Sequence, residues 1–314
     1  MEGTTPSTDL LGRIGRGEVG GVILFGANIT TAAALTALTG KLRAAAAAGG
    51  QPPLLIAVDQ EGGTTSRISW APPTLSAPQM GRDGRAATAR AQGASTGVAL
   101  AGLGINIDLA PVADVPASSA SFMERDGRTF SSDADLTAVL ADAFASGLES
   151  AGVIATMKHF PGLGFATQNT DAVVVRIKAS SLSLAPGLQP YQTAIAHGLP
   201  LIMLSNATYT AYDPANAAGW SVAITQTLLR QELGFTGATI TDSLDGTAFA
   251  RRLSDDVLAV RAAKAGTDLI LVTGTEATSR GVYATLLAAA TDGTVPMTPL
   301  QASYERILAL KARL

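Results

Sequence analysis

Seven short apolar runs recur along the chain, each leading into polar or glycine-rich residues. They are GVILF from Gly21, LLIAV from Leu54, INIDLAPV from Ile105, VIATM from Val153, LIMLS from Leu201, ATIT from Ala238 and LILV from Leu269. Their starts lie roughly 41 residues apart on average, room for a strand, a loop and a helix in each unit. The runs are continuous rather than alternating, which suits parallel strands buried on both faces. Helical patterns fill the intervals. TAAALTALTGKLRAAAA follows the first run, and the alanine-rich tract from Arg43 ends in the pair Gly49–Gly50, a helix stop. SSDADLTAVLADAFASGLESAG precedes the fourth run with Ser or Asp as its N-cap, DDVLAVRAAKAG precedes the last, and YERILALKARL closes the chain.

This alternation predicts an α/β chain wound as a TIM-type (β/α)8-like barrel. Seven strands are one short of closure. The first 20 residues hold no strand of the right type, so the first barrel strand is expected to be missing or irregular. Either a short N-terminal segment stands in for it, or the strand lies ahead of Met1. An open doubly wound sheet is the competing arrangement. No linker, charge block or composition break interrupts residues 1–314, which therefore read as one domain.

Composition narrows the function. Apolar residues make up 47% and charged residues 15%, enough to bury a large core. A net charge of −3 with scattered Lys and Arg provides no basic field for nucleic acid. The absence of cysteine removes disulfide scaffolds and thiolate metal sites, and two histidines are too few for a histidine-rich zinc cluster. No cofactor and no metal are expected. The start, MEGTTPSTDLLGRIGRGEVGG, lacks the charged head and apolar core of a secretory signal. No apolar stretch reaches the length of a membrane span. The expectation is a soluble protein, cytoplasmic by default, with a secreted or lipoprotein parent if the N-terminus is trimmed. The oligomeric state is not readable.

Polar residues collect just past the strand ends: Asp59 in AVDQEGG, Asp114 in APVADV, Arg128 in GRTFSSD, Lys158 and His159 in MKHFPG, Asn206 in LSNATY and Asp242 in ITDSLDG. In a barrel these ends face one mouth, where active sites lie. Carboxylates, cations and an imidazole together suit a polyol such as a sugar. Each residue also has a plainer role. Asp242 can cap a helix, Lys158 and His159 can be satisfied by carbonyls, Asp59 can pair with Arg67, and Arg128 with Asp126 or Asp133. His197, in AIAHGLP, reads as a residue at a helix C-terminus. GLGFAT from Gly162 lacks the third glycine of a dinucleotide loop and is not one.

The segments GGVILFGANI, LLIAVDQEGG, GINIDLAPVADV, GRTFSSD, AGVIATMKHFPGLG and LLRQELGFTGATITDSL, taken in order, resemble the N-terminal barrel domain of glycoside hydrolase family 3. They are nearest to its single-domain β-N-acetylglucosaminidases, and the resemblance runs from about Gly20 to Leu244. In the family the first strand precedes a segment like GTTPS, which implies that this chain starts just after it. The resemblance implies a glycosidase acting on β-linked glycosides with retention, β-N-acetylhexosaminidase-like, with Asp242 as the nucleophile that forms a glycosyl-enzyme. It also implies that Asp59, Arg128, Lys158 and His159 hold the sugar hydroxyls, with Arg67 and Asn206 in the same subsite. The partner is then a small carbohydrate or glycoconjugate.

One loop departs from the pattern. In the glucosaminidase branch, the loop after KHFPG carries a histidine following the glycine and then an Asp-Ser-His run, whose last histidine is the acid/base. The corresponding residues here are Leu163, Asn169, Thr170 and Asp171. A further family histidine near the end of the LIMLS run is also absent, and Asn206 stands close to its place. Three readings follow. Asp171 takes over as acid/base, in which case two carboxylates about 5–5.5 Å apart flank the bond and the apolar Leu163 and Phe165 hold its proton. Or the site binds sugar and hydrolyses it about 10²–10⁴-fold more slowly. Or the acid/base arrives from another domain or subunit. A carbohydrate-binding or sensor protein with weak or no hydrolase activity is the alternative. The altered residues are those that mark the branch, so N-acetylglucosamine specificity is not implied.

Overall fold

The computed structural model describes residues 1–314. Its frame is six parallel strands: β1 (Gly21–Leu24), β2 (Leu55–Val58), β3 (Ile107–Asp108), β4 (Ile154–Phe160), β5 (Leu201–Leu204) and β6 (Ala238–Thr241). They lie side by side in chain order. A doubly wound sheet reverses direction at a switch point, and this one does not, so the sheet curls as a TIM-type barrel does.

Both faces of the strands are buried, as their unbroken apolar character requires. Ile23, Leu55, Ala57, Ile107, Ile154, Leu201, Met203 and Ile240 meet inside the curl, where Leu310 from the Met297–Lys311 helix joins them. The alternate residues Leu24, Ile56, Val58, Ala155, Ile202 and Leu204 belong to the larger core shared with the outer helices. The helices begin where the sequence caps them. Asp133 accepts from the N–H groups of Asp135 and Leu136 at the head of Ala134–Ser150, and Ser254 accepts from Val257 ahead of Asp255–Ala265. The latter helix stops at Gly266, whose φ of 82° suits glycine.

Two expected strands are curtailed. LILV forms a single parallel bridge, Ile240 with Leu269, instead of a seventh strand. The Leu269 N–H does reach the Thr239 carbonyl, but the next ladder donor, Leu271 N–H, goes to the Thr241 hydroxyl, and the ladder ends. INIDLAPV shortens to Ile107–Asp108 because Pro111 has no N–H to donate, although Val112 still bridges Lys158. The first 20 residues form a helix, Thr8–Gly15, and no strand. An apolar cleft of about 340 Å³, lined by Val22, Ile23, Leu269 and Leu271, therefore separates β1 from the seventh run. No helix is long and apolar enough to cross a membrane.

Candidate active site

The C-terminal ends of the strands surround a cavity of about 430 Å³, and seven of the residues singled out from the sequence line it: Asp59, Arg67, Arg128, Lys158, His159, Asp171 and Asp242. Four of these come directly from strand ends, positions that a parallel sheet turns toward one side of the molecule.

One wall is an ionic cluster. Beyond β2 the chain folds into a tight antiparallel hairpin, Gln60–Gly62 with Thr65–Ser66, and Gly62 takes a φ of 92°. The hairpin delivers Asp59 and Glu61 to the same place. Lys158 Nζ lies 2.7 Å from Asp59 Oδ1 and 2.6 Å from Glu61 Oε1. Glu61 is also held in a two-point grip by Arg128, at 2.9 Å from Nε and 2.7 Å from Nη2. Burial alone would raise the Glu61 carboxyl, but the charges of Lys158 and Arg128 outweigh it and bring it down to about 2. Burial would likewise discharge Lys158, yet Asp59 and Glu61 keep its ammonium form above the usual lysine range. Glu61 and Lys158 therefore both stay charged throughout the ordinary pH range. Arg67 lies nearer the rim, with Nη2 3.5 Å from Asp59 Oδ2 and its guanidinium 5.6 Å from the centre of the Phe25 ring.

His159 adjoins this wall. The pairing of β4 with β5 slips between Met157 and Phe160, an irregularity of the kind that re-aims neighbouring side chains, and both Lys158 and His159 reach the cavity. His159 Nδ1 is 2.8 Å from Oδ2 of Asp114, which is wholly buried. The other oxygen of Asp114 accepts the Leu163 N–H at 2.6 Å. The imidazole is thus held by one nitrogen, which leaves Nε2 as the atom available to a ligand.

Asp242 follows β6 directly and lines the same cavity. Its Oδ1 accepts the Ser243 N–H at 2.8 Å, and its own N–H donates to the Leu204 carbonyl at 3.0 Å. The corner is braced by hydrogen bonds. The Ser243 hydroxyl is 2.6 Å from that of Thr273, and the Ser243 carbonyl accepts from Asn206 Nδ2 at 2.6 Å. Asn206 is buried and is not among the cavity-lining residues, so its contact is with the Asp242 corner and not with the cavity.

Leu163, Asn169, Thr170 and Asp171 all line the same cavity. Asp171 is open to solvent as a residue, yet the atoms crowded around its carboxyl desolvate it. That desolvation first, and the charge of Asp242 second, raise it to about 6, against the opposing pull of His159, Arg128 and Lys158. The second histidine, His197, follows the Ser181–Ala196 helix and sits exposed beside Asp142, with Nδ1 to Oδ2 at 2.9 Å, away from the cavity.

Sequence reasoning missed Glu61 and the supporting role of Asp114. Glu61 stands two residues beyond Asp59 in the same glycine-ended hairpin, a spacing that offered a signal. Asp114 was visible only as one more polar strand end.

The family model described as the glycosyl hydrolase family 3 N terminal domain matches residues 5–310. An uncharacterized secreted glycosyl hydrolase from Arthroderma benhamiae is 37% identical over 99% of this chain and 90% of its own length. A beta-hexosaminidase from Nitrosomonas eutropha is 33% identical over 81% of this chain and 73% of its own. Among solved structures, a family 3 beta-N-acetylglucosaminidase from Paenibacillus superposes with a TM-score of 0.95 at 32% identity, over all of this chain and 60% of that one. The chain thus spans less than two thirds of that protein. A beta-N-acetylhexosaminidase from Beutenbergia cavernae gives 0.91 at 32% identity, over 99% of this chain and 95% of that one.

Proposed function

The chain belongs to glycosyl hydrolase family 3, and from that membership we propose that it hydrolyses β-linked N-acetylhexosaminides with retention of configuration, using Asp242 as nucleophile and Asp171 as acid/base. The substrate class follows the beta-hexosaminidase and beta-N-acetylglucosaminidase relatives. The observation that carries the mechanism is that Asp171 and Asp242 line one cavity, where desolvation first and the charge of Asp242 second disfavour ionisation of Asp171. Double displacement at an anomeric carbon needs one carboxyl to give up a proton and a second to attack, and this cavity holds two carboxyls.

In this mechanism the Asp171 proton passes to the glycosidic oxygen as the bond to the leaving group breaks. An Asp242 oxygen attacks the anomeric carbon from the other face and forms a glycosyl ester. Asp171, now ionised, takes a proton from water as that water attacks the same carbon, and Asp242 leaves as carboxylate. Lys158, Arg128, Asp59 and His159 hold the sugar hydroxyls, the charged cluster supplying donors and acceptors that need no reorganisation during reaction.

A panel of nitrophenyl β-glycosides tests this reading. Release by the parent that is lost in Asp242→Ala supports the nucleophile. In Asp171→Ala, a loss that grows as the leaving group becomes poorer supports the acid/base. Binding of free sugars with no turnover of any panel member would favour a carbohydrate-binding or sensor protein instead.

A further inference from the structure

Resting on the reading of Asp171 as acid/base, we propose that Gly246 is a positioning residue for that carboxyl: its bare Cα is what lets the loop backbone at Asp171 close onto the helix that carries the nucleophile's corner. Gly246 lies inside the Leu244–Arg251 helix, four residues after Asp242, and lines the cavity. A Cβ built on it would overlap the Asp171 carbonyl oxygen and stand 3.0 Å from that carbonyl's carbon and 3.1 Å from the Asp171 Cα. Carbon atoms in contact normally lie about 3.5–4.0 Å apart. All three of these neighbours are backbone atoms, so no side-chain rotation relieves the clash and the loop itself would have to lift.

The glycine is not explained by its own conformation. Gly246 is absent from the positive-φ glycines, and inside a helix alanine is the better residue. What remains is the close approach of the loop. That approach matters because no hydrogen bond or ion pair from the protein grips the Asp171 carboxyl, in contrast to His159, which Asp114 holds. The position of the carboxyl is inherited from its backbone. Two clamps act on that backbone. Gly246 admits it from the helix side. From the loop side, Asn169 Oδ1 accepts the Asp171 N–H at 2.9 Å, and the Asn169 carbonyl accepts those of Ala172 and Val173 at 3.2 Å each.

The test compares the parent with Gly246→Ala, Asn169→Ala and Asp171→Ala on β-glycosides of one sugar, with leaving groups graded from dinitrophenol to an alkyl alcohol. A displacement of the acid by about 1 Å is expected to lower kcat/KM on the alkyl glycoside by about 10–100-fold in Gly246→Ala. The dinitrophenyl glycoside, which scarcely needs the proton, should change less than about 3-fold. Asn169→Ala loosens the same loop without adding an atom to the helix and should show the same dependence, so the idea stays testable if the alanine at 246 impairs folding. If Asp171→Ala shows the graded loss while both other variants keep the parent's leaving-group dependence, the positioning role is overturned and the acid/base reading stands. If Asp171→Ala itself lacks graded loss, the acid/base reading falls and the inference falls with it.

Discussion

Lys158 Nζ lies 2.6 Å from Oε1 of Glu61, and both side chains are nearly sealed from solvent, at 2% and 5% exposure. The pair ties the Glu61 hairpin to the cavity-lining Lys158, 97 residues away in sequence. Removing one partner from a buried pair strands the other's charge, which typically costs about 3–5 kcal/mol. Glu61→Ala should therefore unfold at a markedly lower urea midpoint than the parent. Glu61→Gln, which keeps the shape and part of the hydrogen bonding, should lose less.

The same group sets a pH dependence. Its folded-state pKa is depressed from 4.5 to about 2, so its contribution is complete above about pH 4.5 and fades as pH falls toward 2. Urea unfolding followed between pH 5 and pH 2 should show a drop of about 3 kcal/mol traceable to this residue. The drop should be missing in Glu61→Gln. Equal slopes in the two proteins would contradict the prediction.

Asp171 as general acid must carry its proton when substrate binds. With its carboxyl raised to about 6, kcat/KM should decline as pH rises through about 6. In Asp171→Asn that limb should vanish, and turnover of poor leaving groups should fall about 10²–10⁴-fold at the pH optimum. A parent profile flat from pH 5 to 8 would count against the assignment.

If Asp242 forms the glycosyl ester, a 2-deoxy-2-fluoro glycoside with a good leaving group should glycosylate it, because the fluorine slows both steps while the leaving group restores formation only. Mass spectrometry of proteolytic fragments should then find the added sugar on the peptide containing Asp242. Asp242→Ala should remain unlabelled and lose about a thousandfold or more in kcat. Label on any other carboxylate would reassign the nucleophile.

Asp108, wholly buried at the end of β3, accepts the Gln60 N–H at 2.9 Å through one oxygen and leaves the other without a partner. Burial raises its carboxyl to about 8, which keeps it protonated at neutral pH. Because the folded state binds this proton more tightly than the unfolded chain, stability declines as pH rises from about 4 to about 8. Asp108→Asn should remove that decline. Thermal unfolding should find the variant no less stable than the parent at pH 7–8, with the advantage shrinking to nothing below about pH 4.

The strands of the sheet and the residues at their ends were legible in the sequence because the signals are local. A run such as LIAV or LIML is continuously apolar only if both sides are covered, and a charged residue one step beyond it can lie only at the sheet's rim. The same local signal marks Asp59, Lys158, His159 and Asp242 as rim residues. Which rim residues turn inward is a different kind of question. Asn206 ends β5 as plausibly as Asp242 ends β6, yet it braces Ser243 by a hydrogen bond. The sharing of Lys158 between Asp59 and Glu61, the buried Asp114 behind His159 and the space left by Gly246 for the Asp171 backbone all depend on atoms tens of residues apart. So does the failure of Leu269–Val272 to form a full strand, since the Thr241 hydroxyl takes its next donor. Periodicity is written in neighbouring residues, whereas pairing and close approach exist only after the sheet has curled and brought its ends together.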